Sequence, residues 1–576
     1  LKQGVKSILK EFWGHRWKVI LGLVCLLVVD AAQLTIPLVV KAVVDAISSS
    51  TATLPWMARE AAILFGLALV VALFRFAWRH FFFSAARQVE LDLRNRILDH
   101  MLELSTRYFT KTRTGEVMAL ATNDVESVRQ AIAMGFVAGF DASIYALVAI
   151  GAMLWLDPVL ALWTILPLPF LAVLMGVSLR AIYDRWDKVQ TSFEGLTEKV
   201  RESVTGIRVL RAYVQEDGDV EDFERHSRDY YDKYMNYVKV DAIFHPAILL
   251  LAGTCVAILL GVGGARVMEG RTSIGSFVAF TSYLGMLTWP MIAAGWMLSL
   301  VQRASASMDR IDALLKNDDV EDDRAAPVGA RIEGGFEVRG LDFSYPGQEE
   351  PALKGLSFAV PAGGSLGVVG EVASGKSTVA QLLCRMYDPP PGTILLDGLD
   401  VLDLPPGFLR ARIAYVPQEA FLFSDTVAEN LRLGKPDATP EEMEQACRLA
   451  ALHDEIAQLP KGYETLLGER GITLSGGQKQ RLCLARALLK PAPILLLDDT
   501  LSAVDAETER DILARLKAEA SRRTTVVISH RASAVRDLDR ILCLQRGSVV
   551  QSGTHEEMVR QEGFYKIIVE LQEMEK

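Results

Sequence analysis

Gly370-Glu371-Val372-Ala373-Ser374-Gly375-Lys376-Ser377-Thr378 follows the apolar run Leu366–Val369 and opens the helix-forming stretch Thr378–Tyr387. The spacing is G-x-x-x-x-G-K-[S/T], set between a predicted strand and a predicted helix. Glycines at such a turn let successive backbone N–H groups wrap a phosphate chain at the helix N-terminus. Lys376 is long enough to reach β- and γ-phosphates, and the Ser377 hydroxyl suits a magnesium ion. Glu371 sets a negative charge beside that cradle and must point outward to be tolerated there. A phosphate loop in this context predicts an α/β domain around it.

Ile494-Leu-Leu-Leu-Asp498, further along, is a buried-strand pattern ending in an acid. In an α/β domain Asp498 would stand at the carboxyl edge of its strand, where it can hold the water shell of magnesium. Upstream, Asp318, Asp319, Glu321, Asp322 and Asp323 lead to Pro327 and Gly329, the composition of a solvated linker. These signals place a nucleotide-binding domain at 332–576 and a linker at 316–331.

The region before the linker has a different character. Half of the 576 residues are hydrophobic and mean hydropathy is +0.22, yet the long apolar runs all precede about residue 305. They suggest an all-α domain at 1–315 with six membrane spans, near 17–45, 58–83, 128–156, 159–180, 243–268 and 275–300; each supplies the ~20 residues needed to cross. Segments 84–127 and 181–241 hold many basic residues, among them Arg87, Arg94, Arg185 and Lys199, whereas 46–57 and 157–158 hold none. Basic connections face the cytoplasm, so both termini are expected there, in a multi-pass protein of the cell inner (plasma) membrane. The basic connections are rich in helix formers and turn near Thr114–Gly115 and Thr205–Gly206, which predicts helices continuing past the membrane as long arms. Lys2, Lys6, Lys10, Arg16 and Lys18 precede the first span without a small-residue cleavage site, so an amphipathic elbow helix is expected rather than a signal peptide.

Charges inside the spans are costly against lipid. Asp30, Lys41, Asp45, Arg75, Arg79, Asp141 and Asp241 should face a polar cavity, one another or the interface; for Asp30 and Asp141, a cavity and an ion pair or helix–helix hydrogen bond both stand open. The formal charge of −10 argues against a nucleic-acid partner. Six scattered cysteines show no metal-ligand spacing and read as reduced thiols.

Leu474-Ser475-Gly476-Gly477-Gln478 resembles, without alteration, the signature of ATP-binding cassette proteins. With six spans before one cassette, the whole chain resembles a half-transporter of the type IV exporter fold. That resemblance implies ATP and Mg²⁺ as ligands and ATPase-coupled transport of an amphipathic molecule within membrane lipid. Residue by residue, it implies that Tyr345 stacks on adenine, that Gly370 to Thr378 cradle the phosphates, and that Ser377, Gln418 and Asp498 serve magnesium. It further implies that Gln418 senses the arms, that Gly468–Gly471 is an exporter loop, that Ser502–Asp505 crosses a dimer interface, and that His530 is the switch histidine. Ser475, Gly476, Gly477 and Gln478 would close on ATP held by a second cassette.

Asp499 departs from the pattern, since active members carry a glutamate there. Aspartate keeps the charge but is one methylene shorter, and a displacement near 1 Å can cost on the order of 100-fold in rate. In the resembling family this change marks the degenerate site of heterodimeric exporters. The partner is therefore expected to be a different half-transporter with its own catalytic glutamate, and Asp499, His530 and Gln418 to be the catalytic set of a slow site. A homodimeric lipid or peptide exporter and an ATP-gated channel or regulatory membrane subunit are the other readings. The cargo is not legible.

Overall fold

The computed structural model describes residues 2–321, 332–348, 350–468, 471, 474–520 and 523–574. Most of the expected linker, and Glu469 and Arg470 of the exporter loop, lie outside them. The chain divides into two compact units, Leu1–Leu102 with Arg113–Asn317, and Glu103–Thr112 with Asp318–Lys576.

The first unit is helical. Lys2–Gly14 precedes the long helices Arg16–Ser48, Leu54–Glu103, Leu168–Thr205 and Glu216–Ile258. Leu54–Glu103 alone has 50 residues, about 75 Å at 1.5 Å per residue and far more than a bilayer core requires. The arms end in the short helices Thr106–Lys111 and Ile207–Ala212. Among the described residues four helical stretches are long and apolar enough to cross a membrane, Arg16–Ser48, Leu54–Glu103, Thr114–Leu156 and Leu249–Met268, not the six expected. The fourth apolar run is interrupted between Ile165 and Leu168, where Pro167 lacks an N–H and crowds the preceding turn. The sixth is split at Leu287, leaving Ile274–Met286 as a shorter apolar helix. Pro37 and Pro246, by contrast, sit inside their helices.

Polar groups fix how the Arg16–Ser48 helix meets Ile274–Met286. Asp45 accepts from the Gly275 N–H at 2.8 Å, from Ser273 at 2.9 Å and from Lys41 at 2.9 Å. A Cβ at Gly275 would come within 2.2 Å of the Lys41 carbonyl oxygen, so only glycine permits this approach. Deeper in, the hydroxyl of fully buried Tyr283 donates to the Leu34 carbonyl at 2.8 Å, close to Pro37.

The second unit is built on ten strands: β1 Phe336–Phe343, β2 Leu353–Val360, β3 Ser365–Gly370, β4 Ile394–Leu396, β5 Leu399–Asp400, β6 Ile413–Val416, β7 Ile494–Asp498, β8 Thr524–Ser529, β9 Arg540–Gln545 and β10 Ser548–Gly553. One sheet runs β10-β9-β3-β8-β7-β6, parallel apart from the β10–β9 pair. An antiparallel sheet, β2-β1-β4-β5, lies beside it. Every residue of β7 and β8 is buried, as expected of central parallel strands covered on both faces. All six cysteines are buried and unbridged. The segment 103–112, expected within the membrane domain, groups instead with this unit: Thr106 Oγ1 donates to the Met386 carbonyl, and Thr110 Oγ1 lies 3.0 Å from the Tyr387 hydroxyl.

Tyr283→Phe removes the hydroxyl's hydrogen bond to the Leu34 carbonyl. The expected cost is ~1 kcal/mol, the net contribution of a typical intramolecular hydrogen bond. The protein should still be made at parental levels, and its thermal unfolding midpoint in detergent should be lower.

Candidate functional site

Neighbouring parallel strands assemble residues that are far apart in sequence. The loop after β3 carries Glu371 to Gly375, the end of β7 carries Asp498 and Asp499, and the end of β8 carries His530. Since β8 lies between β3 and β7, all three reach the same carboxyl edge, where open α/β sheets bind ligands.

The loop has two left-handed residues, Ala373 at φ +63° and Gly375 at φ +97°. A Cβ on Gly375 would lie 2.7 Å from the Ala352 carbonyl oxygen, so glycine is obligatory there. Ala373 bears its conformation at a cost of roughly 1 kcal/mol. Glu371 and Val372 are exposed, which turns the Glu371 charge outward, and Ser374 is buried. Lys376 folds back on the loop, Nζ donating to the carbonyls of Gly370 at 2.8 Å and Glu371 at 2.5 Å. Burial lowers its pKa, against the charges of Asp499 and Asp498.

Ser377 Oγ donates to Asp498 Oδ1 at 3.0 Å, joining the helix after β3 to the end of β7. Burial pushes the Asp498 carboxyl up to about 6, the Ser377 bond and Lys376 opposing and the charge of Asp499 reinforcing. Asp499, at φ +47°, places Oδ1 2.9 Å from His530 Nδ1. A carboxylate only accepts, so Nδ1 carries the proton of that bond. Gln572 of the Phe564–Met574 helix clamps the same turn, donating to the His530 carbonyl at 2.8 Å and accepting from the Ala532 N–H at 2.9 Å.

Tyr345 lies at the rim. Its hydroxyl is 3.0 Å from Thr378 Oγ1 and donates to Gln381 at 2.9 Å, and its ring meets Phe343 and Tyr387 edge-on with centroids 5.2 Å apart. Gln418 follows β6 and is exposed; no hydrogen bond joins it to Ser377 or Asp498 among the described residues.

Ser475 caps the Gly476–Leu489 helix, accepting from the Gln478 N–H at 3.3 Å while the Gln478 side chain accepts from the Ser475 N–H at 2.8 Å. Ser475 and Gly476 are exposed. A Cβ on Gly477 would sit 2.8 Å from the Ala503 carbonyl oxygen, so this helix packs directly on the 502–505 turn. Among the described residues no hydrogen bond or ion pair connects Ser475 to Gln478 with the phosphate loop. The structure thus brings Lys376, Ser377, Asp498, Asp499 and His530 together and leaves the signature apart.

Sequence reasoning missed the residues that tie these pieces. Gln480 donates to Ser502 Oγ at 2.9 Å and accepts from the Ala503 N–H at 3.0 Å. Arg531 donates to the carbonyls of Ser502 and Val504 at 3.1 and 3.3 Å and pairs with Glu509 at 2.5 Å. Gln480 and Glu509 are buried polar residues on helices that also bury apolar side chains, and only that mismatch could have marked them.

Residues 19–291 match the family described as ABC transporter transmembrane region, and residues 353–502 the one described as ABC transporter. The chain is 37% identical over 569 residues to the multidrug resistance-like ATP-binding protein MdlA of Escherichia coli, covering 98% of this chain and 96% of that protein. It belongs to the ABC transporters. This transporter is also 35% identical over 573 residues to the probable multidrug resistance ABC transporter YheI of Bacillus subtilis, covering 99% and 98% of the two chains. It is 34% identical to the ATP-dependent lipid A-core flippase of Pseudomonas fluorescens, covering 95% and 92%. The structure of a bacterial Atm1-family ABC exporter with ATP bound superposes with a TM-score of 0.79 at 28% identity, over 97% of this chain and 98% of that one. The architecture is that of the type IV exporters, a helical region followed by a P-loop cassette, and ATP use is coupled to transport.

The expected partner requires correction. These end-to-end likenesses, to MdlA and the Atm1-family exporter among others, favour two copies of one chain over an unlike pair in which the other chain supplies a catalytic glutamate. The expectation rested on Asp499, and the structure weakens that ground: the shorter acid retains a carboxylate held on His530.

Gln480→Leu removes the two bonds that Gln480 makes to the 502–505 turn and leaves those from Arg531. Hydrogen–deuterium exchange should quicken at Ser502–Asp505 while β7 and β8 keep their protection.

Proposed function

We propose that this chain exports amphipathic molecules, lipids or drugs of mixed polarity, as a homodimer driven by ATP. The observation that carries the reading is the meeting of Lys376, Ser377, Asp498, Asp499 and His530 at one sheet edge, in a chain whose other unit has several apolar helices of membrane length. In this reading the apolar runs near 159–180 and 275–300 also cross, as interrupted helices, giving six spans with both termini cytoplasmic.

The N–H groups of 370–378 and Lys376 would hold the β- and γ-phosphates. The ring of Tyr345 would take adenine, because an aromatic face stacks on a base whatever its hydrogen-bond pattern. Ser377, Asp498 and Gln418 offer hydroxyl, carboxylate and amide oxygens, hard donors of the kind Mg²⁺ prefers, so the residues fit that ion. Magnesium, when bound, neutralises charge on the phosphates. Asp499 would orient the attacking water with His530 beside it, and the exposed Ser475 and Gly476, with Gly477 after them, would close on ATP held by the other copy. Both sites of such a pair are identical.

Three outcomes are expected. Inside-out vesicles containing this chain alone should accumulate a fluorescent lipid or drug only with hydrolysable ATP, and Lys376→Ala should abolish this; accumulation by Lys376→Ala would refute the reading. Asp499→Glu, which restores the longer reach, should raise steady-state phosphate release by about 10- to 100-fold, and an unchanged rate would show that reach at 499 is not limiting. The third outcome concerns pH. Asp498 titrates near 6, so its carboxylate is available above that value and lost as pH falls through it. Mg²⁺-dependent ATP affinity should be full at pH 7–8 and about tenfold weaker at pH 5, one unit below the midpoint; with metal chelated the loss should be much smaller.

A further inference from the structure

The Phe564–Met574 helix lays one stripe of residues on the core of the second unit. Tyr565, Ile568 and Gln572 recur on it at i, i+3 and i+7, the spacing of a single helix face. Tyr565 is fully buried, its hydroxyl 2.8 Å from His555 Nδ1, and its N–H donates to Gln551 at 2.8 Å. Ile568 and its neighbour Val569 pack against the apolar core. In the last turn the stripe carries an amide in place of a further apolar side chain, and that amide meets the turn after β8.

There Gln572 Nε2 donates to the His530 carbonyl at 2.8 Å, and Oε1 accepts from the Ala532 N–H at 2.9 Å. One side chain thus bridges the backbone on either side of Arg531, from 42 and 40 residues away in sequence. Among the described residues these two backbone groups make no other hydrogen bond. An amide supplies a donor and an acceptor side by side without charge, whereas a carboxylate would set a second oxygen against the His530 carbonyl. The His530 imidazole is 45% exposed and has Asp499 as its partner at 2.9 Å. A ring so open to solvent takes its direction from the backbone that carries it.

We propose that Gln572 is a positioning residue for His530: by fixing the backbone at 530 and 532, it aims the imidazole at the site of hydrolysis. The proposal rests on the role given above to His530 beside Asp499. Transition-state stabilisation depends on alignment, and a displacement near 1 Å can cost on the order of 100-fold in rate. Gln572 forms no hydrogen bond with the phosphate loop or with Tyr345 among the described residues. Its loss should therefore act on turnover and spare the binding of ATP.

The test is steady-state phosphate release by the full chain in detergent. Gln572→Met keeps the length of the side chain and loses both bonds, and Gln572→Glu keeps the acceptor alone. Each should lower kcat about tenfold or more, with KM for ATP within about twofold of the parent's. His530→Ala should lower kcat as well. Adding Gln572→Met to it should change kcat by no more than about twofold, because the residue being positioned is gone. Unchanged kcat in Gln572→Met, a loss confined to KM, or losses that multiply in the double variant would overturn the proposal. If Gln572→Met does not fold, Gln572→Glu decides in its place, alone and paired with His530→Ala. Where His530→Ala leaves no measurable rate, the split between kcat and KM decides. Parental turnover by His530→Ala would remove the role given to His530, and the positioning role with it. Parental turnover by Gln572→Met beside an impaired His530→Ala would remove the positioning role alone.

Discussion

The hydrogen bond from Ser377 to Asp498 holds together two motifs 121 residues apart. It exists because β3 and β7 are parallel and separated by one strand, so their carboxyl ends come out side by side. Everything at the site inherits that arrangement: the loop after β3 presents Lys376, the residue after β7 is Asp499, and the intervening β8 ends at His530. An antiparallel placement of any one strand would send its residue to the opposite edge. The burial of all eleven positions of β7 and β8 makes the register costly to change, since a slip by one residue would carry apolar side chains out of place on both faces.

A second layer of polar contacts extends away from that edge. His530 is held by Asp499 on one side and by Gln572 on the other. Arg531, the next residue, grips the turn that follows β7, and Gln480 grips the same turn from the signature helix. Hydrogen bonds and short stretches of backbone thus connect the phosphate edge with the helix that begins after Ser475, the residue proposed to serve the other copy. On another side, Tyr345 packs against Tyr387, whose hydroxyl meets Thr110 of the first arm.

The phosphate loop and β7 were legible because fully apolar runs ending in a Gly-rich turn or an acid have few other uses. The β7 span Ile494–Asp498 matches the sequence pattern at both ends. Elsewhere composition could not substitute for geometry. The apolar run containing Pro167 reads as one span, yet the missing N–H interrupts the helix. Segment 103–112 resembles the rest of its arm in composition, and its place beside Met386 and Tyr387 depends on two threonine hydroxyls that carry no periodic signal. Gln480 and Arg531 went unnoticed because their partners are backbone groups, a serine and a glutamate 22 residues away in sequence, contacts that residue type does not announce. Asp499 misled in another way: a missing methylene was read as a statement about the partner chain, whereas it describes only the reach of one side chain.

Two copies of this chain are proposed to form two composite ATP sites, each with the phosphate loop of one and the signature of the other. Subunit complementation tests it directly, by phosphate release from co-assembled Lys376→Ala and Ser475→Arg chains. Each variant alone damages both sites and should be inactive. In the mixed pair one site carries both lesions and the other carries neither, so hydrolysis should return in the fraction of mixed dimers. A mixed pair that forms in the membrane yet remains as inactive as either variant alone would show that the sites are not shared between two copies.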